Sequence, residues 1–179
     1  MTGGDVTAGT SIDPGAVDMR SAKALRAAYR SAPEPTVDDL VGEFRGEFIG
    51  PGWLRAVGPV PMRLGRMPGW WGKRFARSEQ GDSPLAGVNL VSSGGVVSDS
   101  LAMVADVGPS RIDGRASLMI GYPIDAPFPW PRVTDELRPF GDDALLGMTF
   151  GIPGSLPGGT PFLLHRTPLG QGSGGAATS

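Results

Sequence analysis

The chain contains no cysteine and a single histidine. Disulfides, thiol nucleophiles and thiolate metal sites are therefore excluded, and one histidine cannot supply an ordinary zinc site. No stretch approaches the roughly 20 apolar residues of a membrane-spanning helix. An excess of either charge is also missing. Sixteen Lys and Arg stand against 18 Asp and Glu, which argues against nucleic acid or an anionic membrane as a partner. Met1-Thr2-Gly3-Gly4-Asp5 has neither the basic nor the apolar part of a secretion signal, so a cytoplasmic address is expected. No glycine-rich segment has the spacing that cradles a nucleotide phosphate. No Gly-x-Ser-x-Gly elbow accompanies the lone His165, which disfavours a hydrolase.

What is abundant is Gly and Pro, 29 and 18 residues, about a quarter of the chain. Many fall at the ends, and others separate apolar runs where turns are needed. We expect disordered tails at residues 1–12 and 168–179 around a single domain at 13–167, a length that supports one core. Asp13-Pro14 is a helix start, and Val17, Ala22, Leu25, Ala28 and Tyr29 follow at helical spacing to about Ser31. Thr36 and Asp39 form a capping box for a short helical turn. Residues 42–49 alternate like a half-buried strand, and in 53–77 the amphipathic 53–57 and Met62-Arg63-Leu64, with prolines that forbid a long helix, are expected to give short helical pieces leading into the Trp70-Trp71 stretch and its strand. From Leu85 the pattern is β. The runs 85–92, 96–106, 115–122, 144–152 and 162–167 are apolar or alternating, and Ser93-Gly94-Gly95 marks a hairpin. Successive short strands with turns predict an antiparallel sheet, either a sandwich or a closed barrel. The proline-rich stretch 123–131 cannot be a central strand, and it reads as a stiff loop carrying Phe128 and Trp130.

The densest chemistry lies in Pro68-Gly69-Trp70-Trp71-Gly72-Lys73-Arg74-Phe75. Rigid indoles beside a lysine build either a core plug or the wall of a pocket. Polar residues interrupting apolar strands are the other candidates. Asn89 sits among Val88, Leu90 and Val91, while Asp99 lies in the 96–106 run. Tyr122 ends a strand, and His165 follows Phe162-Leu163-Leu164. An inward Asp99 would be a carboxylate of raised pKa, whereas an outward one is a solvated strand residue. Tyr122 could donate a hydrogen bond to a carbonyl or simply satisfy its hydroxyl at a rim. Alternation leaves the facing of His165 undecided between a general base or haem ligand inside and a solvated ring outside.

Gly42-Glu43-Phe44-Arg45-Gly46 followed by Trp71-Gly72-Lys73-Arg74-Phe75 resembles the GXWXG domain, with Phe44 in place of the name-giving tryptophan. Arg111, Asp113-Gly114, Tyr122, Asp143 through Gly147 and Phe162-Leu163-Leu164-His165-Arg166 resemble the domain of unknown function that usually follows it. The resemblance implies a calycin-like, lipocalin-like antiparallel β-barrel, here with an N-terminal helix, and it implies no settled activity. Such a barrel leaves room for one small ligand. Three functions are thus in view. The first is a cofactor-free, non-redox cyclase or isomerase acting on a small-to-medium hydrophobic molecule. In it Lys73, Tyr122, Asp99 and His165 supply polar groups, while Trp70, Trp71, Phe44, Asn89, Phe128 and Trp130 shape the cavity. The second is a non-catalytic carrier using the same cavity, and the third is haem binding through His165. The expected partner is a hydrophobic ligand, with neither metal nor nucleic acid nor membrane, and the chain is a monomer or homodimer.

Overall fold

Eight β-strands hydrogen-bond in sequence order, each antiparallel to the next, and the last returns to the first. They are β1 (Gly42–Phe48), β2 (Trp70–Arg77), β3 (Leu85–Ser93), β4 (Val96–Pro109), β5 (Ala116–Gly121), β6 (Thr134–Pro139), β7 (Ala144–Phe150) and β8 (Thr160–Arg166). The closing seam pairs Phe44 with Arg166 and Phe48 with Phe162, so this sheet has no free edge. The structure, a computed structural model, describes residues 12–57, 67–79 and 83–168. The expected tails, apart from Ile12 and Pro168, lie outside the described residues, as do Met62, Arg63 and Leu64.

Of the two outcomes the β pattern allowed, closure is the one realised, and the fold is mainly β with few helices. The strands expected from Leu85 onward are present as five of the eight. The sixth, β6, was not expected. Its sequence, Thr134-Asp135-Glu136-Leu137-Arg138-Pro139, carries charge on both faces, so no amphipathic alternation is visible. Both faces are nevertheless buried, because Asp135, Glu136 and Arg138 are 3%, 0% and 0% exposed. Each has fixed partners. Glu136 accepts from Ser110 Oγ at 2.6 Å and from the Arg111 N–H at 3.1 Å. Arg138 forks onto Asp113 at 2.6 and 2.7 Å and donates to the Tyr29 carbonyl at 3.0 Å.

The Tyr29 carbonyl belongs to α1 (Ala22–Ser31), capped by the Ser21 side chain and packed on the outside of the wall. Leu25, Ala28 and Tyr29 bury against Ile49, Phe140, Leu146, Met148 and Leu163. The N-terminal helix is shorter than the spacing predicts. Asp13 caps only the 3-10 turn Pro14–Ala16, and Asp18 then accepts the Arg20 N–H, a local turn that competes with helix propagation. The capping box at Thr36 and Asp39 forms as expected around the turn Val37–Leu40. A second short helix, α2 (Gly52–Val57), follows β1.

Inside the wall, one half is solid. Leu40, Phe44, Phe75, Leu85, Met103, Leu118, Leu137, Leu145 and Leu164 fill the end where β1 and β3 begin. The other half, where β2 and β6 begin and β1 and β7 end, is hollow.

Candidate functional site

The hollow end is a cavity of about 310 Å³. Its walls are mostly apolar, built from Phe48, Leu54, Met67, Trp70, Trp130 and Phe162. Its polar lining includes Lys73, Asn89, Tyr122, Asp135 and Thr149. Lining residues come from β1, β2, β3, β6, β7 and β8, from α2 and from the loops after β5 and β7.

Two irregularities of the ladder decide which side chains reach this space. Across β2 and β3, Trp70 pairs with Val91 and Gly72 with Leu90, so Trp71 is an extra residue. Unbroken alternation would place Trp71 on the face of Lys73. The bulge reverses the phase and brings Trp70 inside with Lys73 instead. Gly46 makes room for it, since a Cβ there would overlap the Trp70 ring. Trp70 then packs on Phe48 and Phe162, with ring centroids 5.2 and 6.2 Å apart, and donates its indole N–H to Asn89 Oδ1 at 3.1 Å.

The second irregularity lies across β3 and β4, where Val88 pairs with Ala102 but Leu90 pairs with Asp99. Two residues of β4 thus stand against Asn89, and the phase of β4 flips there. Leu101 and Met103 face in, and Asp99 is turned to the outer wall, where Arg74 Nη2 holds it at 2.5 and 2.6 Å.

Lys73 is the centre of the polar end. Its side chain is 3% exposed, and its Nζ donates to Tyr122 Oη at 2.8 Å and to Asn89 Oδ1 at 3.1 Å, with Asp135 Oδ2 at 3.0 Å. The Met103 sulfur lies 3.7 Å away. Tyr122 donates to Asp135 Oδ2 at 3.1 Å, and Thr149 donates to Asp135 Oδ1 at 2.7 Å. The register explains this convergence. Lys73 and Asn89 are direct cross-strand partners, and so are Asp135 and Thr149.

Burial by itself would push the Lys73 ammonium toward losing its proton. The Asp135 carboxylate and the Tyr122 oxygen more than reverse that, and the amine stays charged above the ordinary lysine range. Burial, reinforced by the Asp135 charge and opposed by Lys73, pushes the Tyr122 phenol up to about 12. Tyr122 is therefore a neutral donor at ordinary pH. Trp130, 1% exposed, closes over it with ring centroids 5.2 Å apart.

Of the residues singled out from the sequence, Lys73, Tyr122, Asn89, Trp70 and Trp130 line the cavity. The others do not. His165 is on the outer wall, bonded to Glu47 at 2.9 Å, and Asp99 is outside for the reason given. Both are corrections to the catalytic set, because an outer-wall side chain cannot reach the interior. Phe44 belongs to the solid half beneath the cavity, with Arg166 over its ring at 4.8 Å. Trp71 sits at the bulge, outside the lining set. Phe128 is 65% exposed beside Arg132. Asp135 and Thr149 were missed. Their signal was alternation: Val133, just before β6, lies in phase with Asp135 and Leu137 on that strand, and Leu145, Gly147 and Thr149 share one face of β7, so each polar group interrupts an inward series.

No protein-family model matches the chain, and no curated protein matches it. The likeness to the GXWXG domain therefore rests on its short motifs alone. A solved structure described as a protein from Thermomonospora curvata is similar over 89% of this chain and 90% of that one, at 23% identity and a TM-score of 0.54. At that identity the likeness concerns the fold.

Proposed function

We propose that the barrel takes up a small-to-medium hydrophobic molecule and acts on it as a cofactor-independent, non-redox isomerase or cyclase. The observation that carries this reading is a buried ion pair at the inner end of a mostly apolar cavity. A charge pair withdrawn from water contributes little net stability, and apolar residues of similar volume commonly serve a core at least as well. Placed where a guest would end, together with a tyrosine of raised pKa, it matches the arrangement by which pockets orient and polarise ligands. The apolar walls would hold a flexible substrate in one reactive conformer. Tyr122 would donate to an oxygen of that substrate, and the Lys73 charge behind it would stabilise negative charge developing there. Asp135 and Asn89 hold Lys73 in place.

One observation favours a second reading, a non-catalytic carrier. Every N–H of Lys73 already has a partner within the protein, so the cluster is complete without a substrate. Native mass spectrometry of freshly purified protein, followed by analysis of the released small molecule before and after long incubation, separates the two. Conversion that is lost in Tyr122→Phe supports the enzyme. A bound molecule recovered unchanged supports the carrier, and a protein that retains and accepts no hydrophobic molecule defeats both. The haem reading has no geometric support, because His165 faces away from the cavity.

A further inference from the structure

Resting on the proposed binding function, the geometry points to the class of guest: we infer that the cavity selects an uncharged hydrophobic molecule ending in a carbonyl oxygen and discriminates against carboxylates. Among the described residues lining the cavity, Lys73 and Asp135 are the only charged ones, and they neutralise each other at 3.0 Å. A carboxylate entering head first would meet a cation whose N–H groups are already committed to Asp135, Tyr122 and Asn89. It would also stand beside the Asp135 carboxylate, a like charge in a poorly hydrated space. Its desolvation would go uncompensated.

A carbonyl oxygen faces no such penalty, and two donors at the inner end have slack. The Tyr122 O–H makes a 3.1 Å bond to Asp135 Oδ2, an oxygen that also keeps Lys73. Rotation about the Tyr122 Cζ–O bond redirects that hydrogen without stranding the carboxylate. Among the described residues, the Asn89 amide nitrogen contacts the Leu101 carbonyl at 3.4 Å and the Met103 sulfur at 3.7 Å, both long, and it lies beside the Tyr122 hydroxyl. One neutral acceptor therefore finds a donor, and a charged one finds no free cation.

The test is displacement of the neutral fluorescent probe N-phenyl-naphthylamine from the full-length protein near pH 7.5 by two ligands of similar chain length, methyl nonyl ketone and decanoate. The ketone is expected to compete about tenfold or more better than decanoate in the wild type. In Asp135→Asn the Lys73 charge loses its partner, and the ketone's advantage over decanoate is expected to shrink by about tenfold or more. Equal or better competition by decanoate in the wild type overturns the inference. So does an Asp135→Asn variant that binds the probe but keeps the wild-type preference, or a probe that neither ligand displaces. If Asp135→Asn does not fold, the wild-type comparison decides alone. Failure of the probe itself to bind would instead defeat the underlying binding function, so the two failures are distinguishable.

Discussion

Replacing Lys73 by methionine tests whether the ion pair is kept for stability or for function. At 3.0 Å and an effective dielectric of about 20, the attraction between Lys73 and Asp135 is roughly 5–6 kcal/mol. Removing each ion from water costs several kcal/mol, so the two contributions nearly cancel. Deleting one partner, however, leaves the other charged, buried and unpaired. Lys73→Met and Asp135→Leu are each expected to lose about 3–5 kcal/mol, a large share of the roughly 5–15 kcal/mol that holds a domain folded. The double variant is expected to lie within about 1–2 kcal/mol of wild type, because it strands no charge. Urea unfolding followed by tryptophan fluorescence measures all four corners of the cycle at one pH. Additive losses in the double variant would refute the reasoning, since Lys73 and Asp135 would then stabilise the fold independently and neither would be stranded by loss of the other.

Stability should also fall at alkaline pH. Lys73 and Tyr122 both hold their protons more tightly when folded than when unfolded, so each contributes stability that is lost as pH rises into the alkaline range; for Tyr122 the contribution is complete below about pH 10 and is lost as pH rises through about 12. Tyr122 alone accounts for roughly 3 kcal/mol, and a urea midpoint that stayed flat to about pH 11 would contradict this. Gly46→Ala should push the Trp70 ring off Asn89, weakening probe binding more than it lowers the urea midpoint; unchanged binding would show that Trp70 is not held as described. Asp99→Ala and His165→Ala break exposed outer-wall pairs and should each change stability by no more than about 0.5 kcal/mol and leave probe binding intact. A loss of binding in either would place that residue inside.

Alternation displays only part of what positions the residues around the cavity. The runs 42–49, 85–92 and 96–106 announced their strands through apolar or alternating residues. The strand at 134–139 did not, since Arg138 and Glu136 are buried under α1 and the loop after β4 by partners distant in sequence. The Lys73 candidate followed from its place among the indoles and glycines of residues 68–75, and the Tyr122 candidate from residue type and its place at a strand end. The facing of Asp99 stayed open in the sequence because a bulge inverts the face on which it lies, and a bulge leaves no mark in the pattern of residue types. The same kind of inversion exchanged Trp70 for Trp71. Asp135 was legible in principle, as a carboxylate two residues from both Val133 and Leu137, but only once that segment was known to be a strand.

Titration of the protein with N-phenyl-naphthylamine, exciting tryptophan and reading probe emission, addresses the hollow half of the barrel most directly. Trp70 and Trp130 line the space, so a probe inside it receives their excitation efficiently. The account predicts saturable binding of one probe per chain, diminished when Ile152→Trp fills the lining from the loop after β7. Emission that rises without saturation, or saturates equally in Ile152→Trp, would mean that the probe sits elsewhere and that the interior admits no guest.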